Sequence, residues 1–410
     1  MKNNRTFLEK LLDGAEVEWK PLWSVTTWDK RFNAVEKEKQ PKVIKYHYYL
    51  ASELKPLIVD GGNVKLLTTN ESDIWTTEEL VQSNISEGEI IAIPWGGNPI
   101  VQYYKGKFVT ADNRIATSNN TKILDNKFLY YFLLSKLDVI SSFYRGSGIK
   151  HPSMYHVLEM LIPIPPLSVQ IEIVKILDAL TALTSELTSE LILRQKQYEY
   201  YREKLLSFDS LEQLNSGGGK KKLIELGEIG SIRMCKRILK NQTSSIGDIP
   251  FYKIGTFGKE PDAYISKELF QEYKQKYSYP KKGDILISAS GTIGRTVVFD
   301  GKDAYFQDSN IVWIENDEKI VLNKYLFHFY KIAKWGAAEG GTIQRLYNDN
   351  LRKVKIPVPP LKEQHRIVSI LDKFETLTNS ITEGLPLAIE QSQKRYEYYR
   401  ELLLNFPGRE

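Results

Sequence analysis

The side chains best suited to do chemistry in this chain are polar residues strung along turn-rich stretches. In the second half they are Ser288, Ser290, Thr292, Arg295, Gln307, Asn310, Gln344 and Arg345; in the first, Trp95, Asn98, Asn113, Arg114, Lys150 and His151. Arg, Asn and Gln suit bidentate contacts to base edges in a DNA groove, while Lys and hydroxyl groups suit phosphates. These are the candidate DNA contacts, although any one of them taken alone is better read as a loop residue facing solvent.

Bond-making chemistry is harder to find. An adenine methyltransferase needs an Asn/Asp-Pro-Pro-aromatic motif to grip a flipped base and a Gly-rich turn for its cofactor. Asn98-Pro99-Ile100 is the nearest approach and falls short. No Gly-x-x-x-x-Gly-Lys-Ser/Thr loop is present to cradle ATP phosphates. Pro261-Asp262 followed by Glu272-Tyr273-Lys274 fits the loose spacing in which two carboxylates hold Mg²⁺ for a nuclease. Residues 266–277 read as a helix, however, whereas that chemistry needs strands. The single Cys235 excludes an intramolecular disulfide and a cysteine-rich zinc site, and the five histidines show no ligand spacing. The catalytic set is therefore empty, with no metal and no cofactor expected in this chain.

Charge is informative in its distribution. The net charge is only +5, but residues 220–355 hold 24 Lys and Arg against 16 Asp and Glu, while 18–160 hold 17 against 16. A basic second half permits a phosphate-facing surface. No run reaches the eighteen or so apolar residues of a membrane span, and the first residues lack the apolar core of a signal peptide. The expected location is the cytoplasm, and no membrane partner is expected.

The elements that must position these residues are written twice. Ile162-Pro163-Ile164-Pro165-Pro166-Leu167 returns as Ile356-Pro357-Val358-Pro359-Pro360-Leu361, and Gln170, Ile173, Leu177 and Asp178 return as Gln364, Ile367, Leu371 and Asp372, all at an offset of 194. Tyr198-Glu199-Tyr200-Tyr201-Arg202 matches Tyr396-Glu397-Tyr398-Tyr399-Arg400 at 198, so four residues have been inserted in the second copy. Upstream, Gly88-Glu89-Ile90-Ile91 parallels Gly283-Asp284-Ile285-Leu286, Asn126-Lys127 parallels Asn323-Lys324, and Gly148-Ile149-Lys150-His151 parallels Thr342-Ile343-Gln344-Arg345. Glu9-Lys10-Leu11-Leu12 matches Glu203-Lys204-Leu205-Leu206, so the two ends of the chain should meet and close a pseudo-twofold, circular arrangement.

After each Pro-Pro-Leu the apolar residues recur every three or four positions. Ile173, Leu177, Leu180, Thr184, Leu187, Leu191, Arg194, Tyr198, Tyr201, Leu205 and Phe208 form one seam; Ile367, Leu371, Phe374, Thr378, Ile381 and Leu385 begin another, taken up again by Tyr396 and Tyr399. That is the heptad pattern of paired helices, and forty residues make a rod of roughly 60 Å. The insertion is a stutter, and Gly384 and Pro386 should break the second helix there. The tetrads Thr184-Ser185-Glu186-Leu187 and Thr188-Ser189-Glu190-Leu191 suit a spacer. Strands are expected at 88–93, 107–117, 283–299 (two, joined by a Gly-containing loop) and 304–314, with helices at 126–140 and 322–334.

The expected fold is α+β: two α/β domains joined by two long antiparallel coiled-coil helices. The segments are an N-terminal piece of the helical repeat (1–17), domain 1 (18–160), a central helix (161–208), a linker (209–221), domain 2 (222–354) and a C-terminal helix (355–406).

The two Ile-Pro-x-Pro-Pro-Leu blocks, the two Tyr-Glu-Tyr-Tyr-Arg blocks, the Thr-Ser-Glu-Leu tetrads and Thr378-Asn379-Ser380-Ile381-Thr382-Glu383-Gly384-Leu385-Pro386 together resemble the specificity subunits of type I restriction-modification systems, over nearly the whole chain. The tetrad-bearing helix looks most like the type IC branch. The resemblance implies a non-catalytic subunit whose two domains each read one half of a split, asymmetric double-stranded DNA target. It also implies that the helices set the gap and dock two adenine methyltransferase subunits, joined by two restriction subunits. S-adenosylmethionine, Mg²⁺ and ATP then belong to those partners. The alternatives are a coiled-coil scaffold joining two ligand-binding domains, or a stand-alone nuclease.

Overall fold

The computed structural model describes residues 6–207, 222–336 and 345–406. Gln344, Phe208 and the expected linker 209–221 lie outside the described residues. The chain divides into two compact units, Met1–Glu186 with Ile389–Glu410, and Leu187–Ala388. Each unit therefore combines a mixed domain, the first part of the helix that follows it, and the last part of the other long helix.

In the first unit, strands β2 (Thr26–Trp28), β3 (Val64–Leu67), β4 (Trp75–Thr76), β5 (Ser86–Pro94), β6 (Gln102–Thr110) and β7 (Asn113–Ser118) form one sheet in the order β2-β7-β5-β6-β3-β4. All neighbours are antiparallel except β3 and β6. The unbroken run Ile90-Ile91-Ala92-Ile93 in β5 reflects cover on both faces: Ile91 and Ile93 join one apolar cluster, Ile90 and Ala92 another. A hairpin of β8 (Tyr144–Arg145) and β9 (His151–Pro152) stands apart, and β1 (Glu18–Pro21) pairs with β10 (Leu161–Ile164).

The second unit repeats this plan with one division. β11 (Lys222–Glu225) pairs with β19 (Lys355–Val358) as β1 does with β10. Strands β12 (Ser231–Arg233), β15 (Ile285–Ser288), β16 (Thr296–Val298) and β18 (Ile311–Glu315) form a sheet in the order β12-β18-β15-β16, the counterpart of β2-β7-β5-β6. β13 (Ile249–Tyr252) lies between β14 (Tyr264–Ile265) and β17 (Tyr305–Phe306) in a second sheet, parallel to β17 as β3 is to β6. The nine-residue strand β6 is thus two strands, β16 and β17, in the second unit, and one sheet becomes two.

Two strand expectations need correcting. Residues 107–117 are the end of β6 and the start of β7, and 304–314 are β17 and β18. In each a tight three-residue turn interrupts the strand, with Asn113 N donating to Ala111 O at 2.7 Å and Asn310 N to Asp308 O at 2.6 Å. Asp and Asn supply these turns without glycine or proline to mark them.

Seven helices matter here. They are α1 (Phe7–Leu12), α2 (Asn126–Ser135), α3 (Leu167–Leu206), α4 (Lys267–Lys276), α5 (Asn323–Tyr330), α6 (Leu361–Asn379) and α7 (Leu385–Leu404). α2 starts where the Asp125 carboxylate accepts the Phe128 amide at 2.8 Å, and it buries Phe128, Leu129, Phe132 and Leu133. α3 runs unbroken for 40 residues, as its heptads require. In the first unit Ile173 and Leu177 of α3 are buried with Leu403 and Leu404 of α7, and the half-buried Tyr396 and Tyr399 pack on the same cluster. Thr184 and Ser392 share a hydrogen bond at 2.8 Å, while Tyr396 lies near Asp178, so the two helices run antiparallel within this unit. In the second unit Tyr198 and Tyr201 stack on Phe374 at 6.0 and 5.8 Å, and Ile367 and Leu371 are fully buried. Leu180, Leu187 and Leu191 are half-buried.

The chain ends do meet: Leu8 of α1 shares a core with Leu403, Leu404 and Phe406. The detail differs from the repeat pattern. Leu404 and Asn405 border the same cleft as Ser135 and Lys136, as Leu206 and Ser207 do with the corresponding Ile332 and Ala333. α7, not α1, is the counterpart of the end of α3.

The break in the second helix falls just before Gly384 and Pro386. α6 ends at Asn379, and Ile381 is 78% exposed rather than part of the seam. Pro386 is the second residue of α7, where its missing N–H costs nothing. Gly384 carries φ +85°, and a Cβ there would lie 2.5 Å from Thr376 O.

Candidate nucleic-acid interface

In the first unit β5 delivers Trp95 to its end, and the β8–β9 hairpin delivers Lys150 and His151 beside it. The Nδ1–H of His151 donates to Trp95 O at 2.7 Å, Gly97 N donates to Lys150 O at 3.1 Å, and the two rings lie 5.3 Å apart. Gly96 lets the hairpin approach closely, since a Cβ would sit 2.9 Å from the Ile149 side chain and 3.1 Å from the His151 ring. Asn98, Lys150 and His151 are exposed, and Trp95 is half-buried. Lys30 adds a cation 5.5 Å from the Trp95 ring. Four of the six residues read from the sequence as DNA contacts thus form one surface.

Asn113 and Arg114 are corrections to that reading. Asn113 is fully buried, with Nδ2 donating to Leu67 O, Thr68 O and Thr110 Oγ1. Arg114 is 1% exposed; its guanidinium donates to Asp112 and to Asn113 O, both at 2.8 Å, and lies 3.6 Å from the buried Asp29. Burial pushes the Asp29 carboxyl up, against a hydrogen bond from Tyr48 and the pull of Arg114. Neither side chain is placed to touch a base, because neighbouring elements bury both.

The second unit builds the same junction from other residues. Ser290 occupies the Trp95 position and Arg345 the His151 position, and the two form an isolated antiparallel bridge. Ser290 Oγ donates to Asn310 Oδ1 and Arg345 Nη2 to Ser309 Oγ, both at 2.9 Å. Ser309 is one of few non-glycine residues with positive φ, +53°, a strain the surrounding contacts must hold. Gln307, Asn310 and Arg345 line an open cleft of about 560 Å³ together with Arg237, Lys240 and Lys253. Arg237 pairs with Asp308 at 2.9 Å and Lys253 with Asp262 at 3.0 Å, while Lys240 is exposed. A cleft lined by four cations and two amides suits a phosphate-flanked base edge.

Ser288 and Arg295 lie elsewhere: the Ser288 hydroxyl accepts from Arg295 N at 2.9 Å, and Arg295 Nη1 donates to Phe257 O at 3.0 Å. Thr292 is exposed on the β15–β16 turn and is not among the cleft residues. Sequence reading missed Arg237, Lys240 and Lys253. The signal was Lys236-Arg237 with Lys240 close behind, inside the basic half.

The nuclease pattern dissolves in the structure. Glu272 and Lys274 lie on α4, and Glu272 pairs with Lys276, Lys274 with Asp303 and Asp262 with Lys253. Among the described residues no group of three or more His, Cys, Asp or Glu is placed to hold a metal, and no helix is long and apolar enough to cross a membrane.

A family model described as the type I restriction modification DNA specificity domain matches this chain twice, over residues 33–194 and 219–391. The chain belongs to that family. The double match falls on the two halves of the duplication. A protein of Haemophilus influenzae described as a type I restriction enzyme specificity subunit is 62% identical over 419 residues, covering 99% of this chain and 100% of the relative. The EcoR124I/EcoR124II specificity subunit of Escherichia coli is 33% identical, covering 98% and 97%. The crystal structure of a type I S subunit from M. genitalium matches in fold, with a TM-score of 0.58 at 18% identity, over 100% of this chain and 99% of that one. As a family member the chain is a recognition subunit of a restriction-modification complex, not one of its enzymes.

Proposed function

We propose that each unit reads one half of a split, asymmetric double-stranded DNA target. The first unit presents Trp95, Asn98, Lys150 and His151, and the second presents Asn310 and Arg345 with Gln307, Arg237, Lys240 and Lys253. The observation that carries this reading is one backbone junction filled differently in the two units: Trp95 with His151 in one, Ser290 with Arg345 in the other. A shared scaffold with exchanged side chains is what two half-sites of different sequence demand.

The long helices serve as spacer and dock two methyltransferase subunits, which bring S-adenosylmethionine; two restriction subunits bring Mg²⁺ and ATP. Exposed apolar residues along α3 and α7, among them Ile192, Leu193, Tyr200 and Tyr398, support a partner on the helices. The complex works in the cytoplasm. Gel-shift of the chain with its methyltransferase partners tests the reading. The assembly should select one split sequence, and methylome sequencing of a strain gaining both should show one new split adenine-methylation motif. Failure to select any split sequence overturns it.

A further inference from the structure

Arg114 is a fully buried cation, and the duplication shows that the fold does not need one. β7 sets Arg114 opposite Ile93 of β5, and β18 sets Ile311 opposite Ser288 of β15. Counting from the matched Gly88 and Gly283, Ile93 corresponds to Ser288, so Arg114 corresponds to Ile311. Ile311 is fully buried and apolar. A buried ion pair is costly to desolvate, and replacing the whole pair by apolar residues is commonly neutral or better for stability. The first unit nevertheless keeps Arg114 with Asp112 and Asp29, and leaves its Nε without a hydrogen-bond partner among the described residues.

What Arg114 touches explains its presence. Its guanidinium carbon lies 4.3 Å from the centroid of the Trp95 ring and 5.9 Å from that of Tyr48. The Tyr48 hydroxyl donates to Asp29, and Asp29 in turn accepts the Ile115 amide at 3.1 Å. Trp95 is held on three further counts: its backbone N–H donates to Asp112 O at 3.0 Å, its backbone carbonyl accepts from His151, and Lys30 approaches its ring. A guanidinium stacked on an indole is a strong, planar contact that a flexible ammonium does not reproduce. The second unit has Ser290 at the Trp95 position, no indole to hold, and Ile311 beneath.

We infer that Arg114 is a positioning residue that holds the Trp95 indole as a rigid platform against base edges of the first half-site. Trp95 makes the contact, and Arg114 acts through it. The inference rests on the reading that the first unit binds DNA.

The test uses the chain assembled with its methyltransferase partners and duplexes substituted in one half-site or the other. W95A should weaken binding of the intact target on the order of tenfold and flatten discrimination at the first half-site only, as expected for loss of one aromatic contact. R114I places the second unit's residue here but leaves Asp29 buried without its cation, so it should cost stability; where it folds it should reproduce that loss, and the double variant should be no worse than either single one. R114K should recover less than half of it. The inference is overturned if W95A leaves first-half discrimination intact, if R114I folds and reads the first half-site like the parent, or if the two losses add. Should R114I not fold, W95A and R114K still decide. A parent complex that selects no split sequence overturns the DNA reading instead.

Discussion

Gln170 and Gln364 make the same three hydrogen bonds in the two units. Gln170 accepts the Asp125 amide at 2.9 Å and donates to Ile123 O and Pro165 O at 2.8 Å; Gln364 accepts the Leu322 amide at 2.9 Å and donates to Ile320 O and Pro359 O at 2.8 Å. Both are fully buried. Each pins the start of its long helix to the loop before α2 or α5, and satisfies the buried carbonyl of Pro165 or Pro359 on the way.

Replacing either glutamine by alanine removes three hydrogen bonds and orphans the buried Pro165 or Pro359 carbonyl, at a cost of about 1–3 kcal/mol to its own unit. Denaturant unfolding should show that loss. Hydrogen exchange should accelerate at the Leu322 amide in Q364A and at the Asp125 amide in Q170A. Unchanged exchange at these amides in the variants contradicts the anchoring role.

The helix junctions of the two units are alike in layout and differ in titration. Tyr131 donates to Asp178 at 2.6 Å in the first unit, and in the second the corresponding His328 lies 2.8 Å from Asp372. His328 is surrounded by Asp372, Tyr198, Lys331 and Glu375, and burial holds its imidazole below the ordinary 6.5 despite Asp372. In the unfolded chain His328 takes a proton near 6.5, while the folded unit resists it. The unfolded state therefore binds more protons, and stability of the second unit falls as pH drops below about 6.5, levelling off beneath the folded value. H328Y, which copies the first unit, should remove that slope. Thermal melts from pH 7.5 to 5 will show whether parent and variant diverge as expected.

Much of this was legible in the chain. The Pro-Pro-Leu starts and the heptads announced the helices because one local pattern repeats; Gln170 and Gln364 belong to that repeat, but their anchoring bonds show only in the structure. Asn113 and Arg114 were misread because a polar residue beside a turn looks exposed until its distant partners are known. The partner that buries Arg114 is Asp29, on the far side of the domain in sequence. Arg237, Lys240 and Lys253 escaped notice for the converse reason. Three ordinary surface cations become a site only when β13 and the turn after β17 bring them around Asn310.

Gly384 should be the least replaceable residue of the helix break. Its φ of +85° and the carbonyls of Thr376 and Leu377, 2.5 and 2.8 Å from a notional Cβ, leave no room for a side chain. G384A should cost about 2 kcal/mol. P386A, at a position where the N–H is free in any case, should change stability by less than about 1 kcal/mol. Equal melting temperatures for the two variants contradict this account of the break.

The cleft of the second unit makes a claim about salt. Lys240 is exposed and lines the cleft, and Arg345 is held by Ser309 beside Asn310. If Lys240 meets a phosphate, K240A should weaken binding to every sequence alike and lower the slope of log affinity against log salt by about one. Arg345 sits where a base edge would be read, at the position His151 fills in the other unit. R345A should instead cost about 1–3 kcal/mol on the true target and relax selection at the second half-site. Gel-shift of the assembled complex at several salt concentrations, against targets altered in one half-site at a time, separates the two effects. Lys240 then supplies attraction and Arg345 supplies choice, and a K240A variant that altered selectivity without altering the salt slope would reverse those roles.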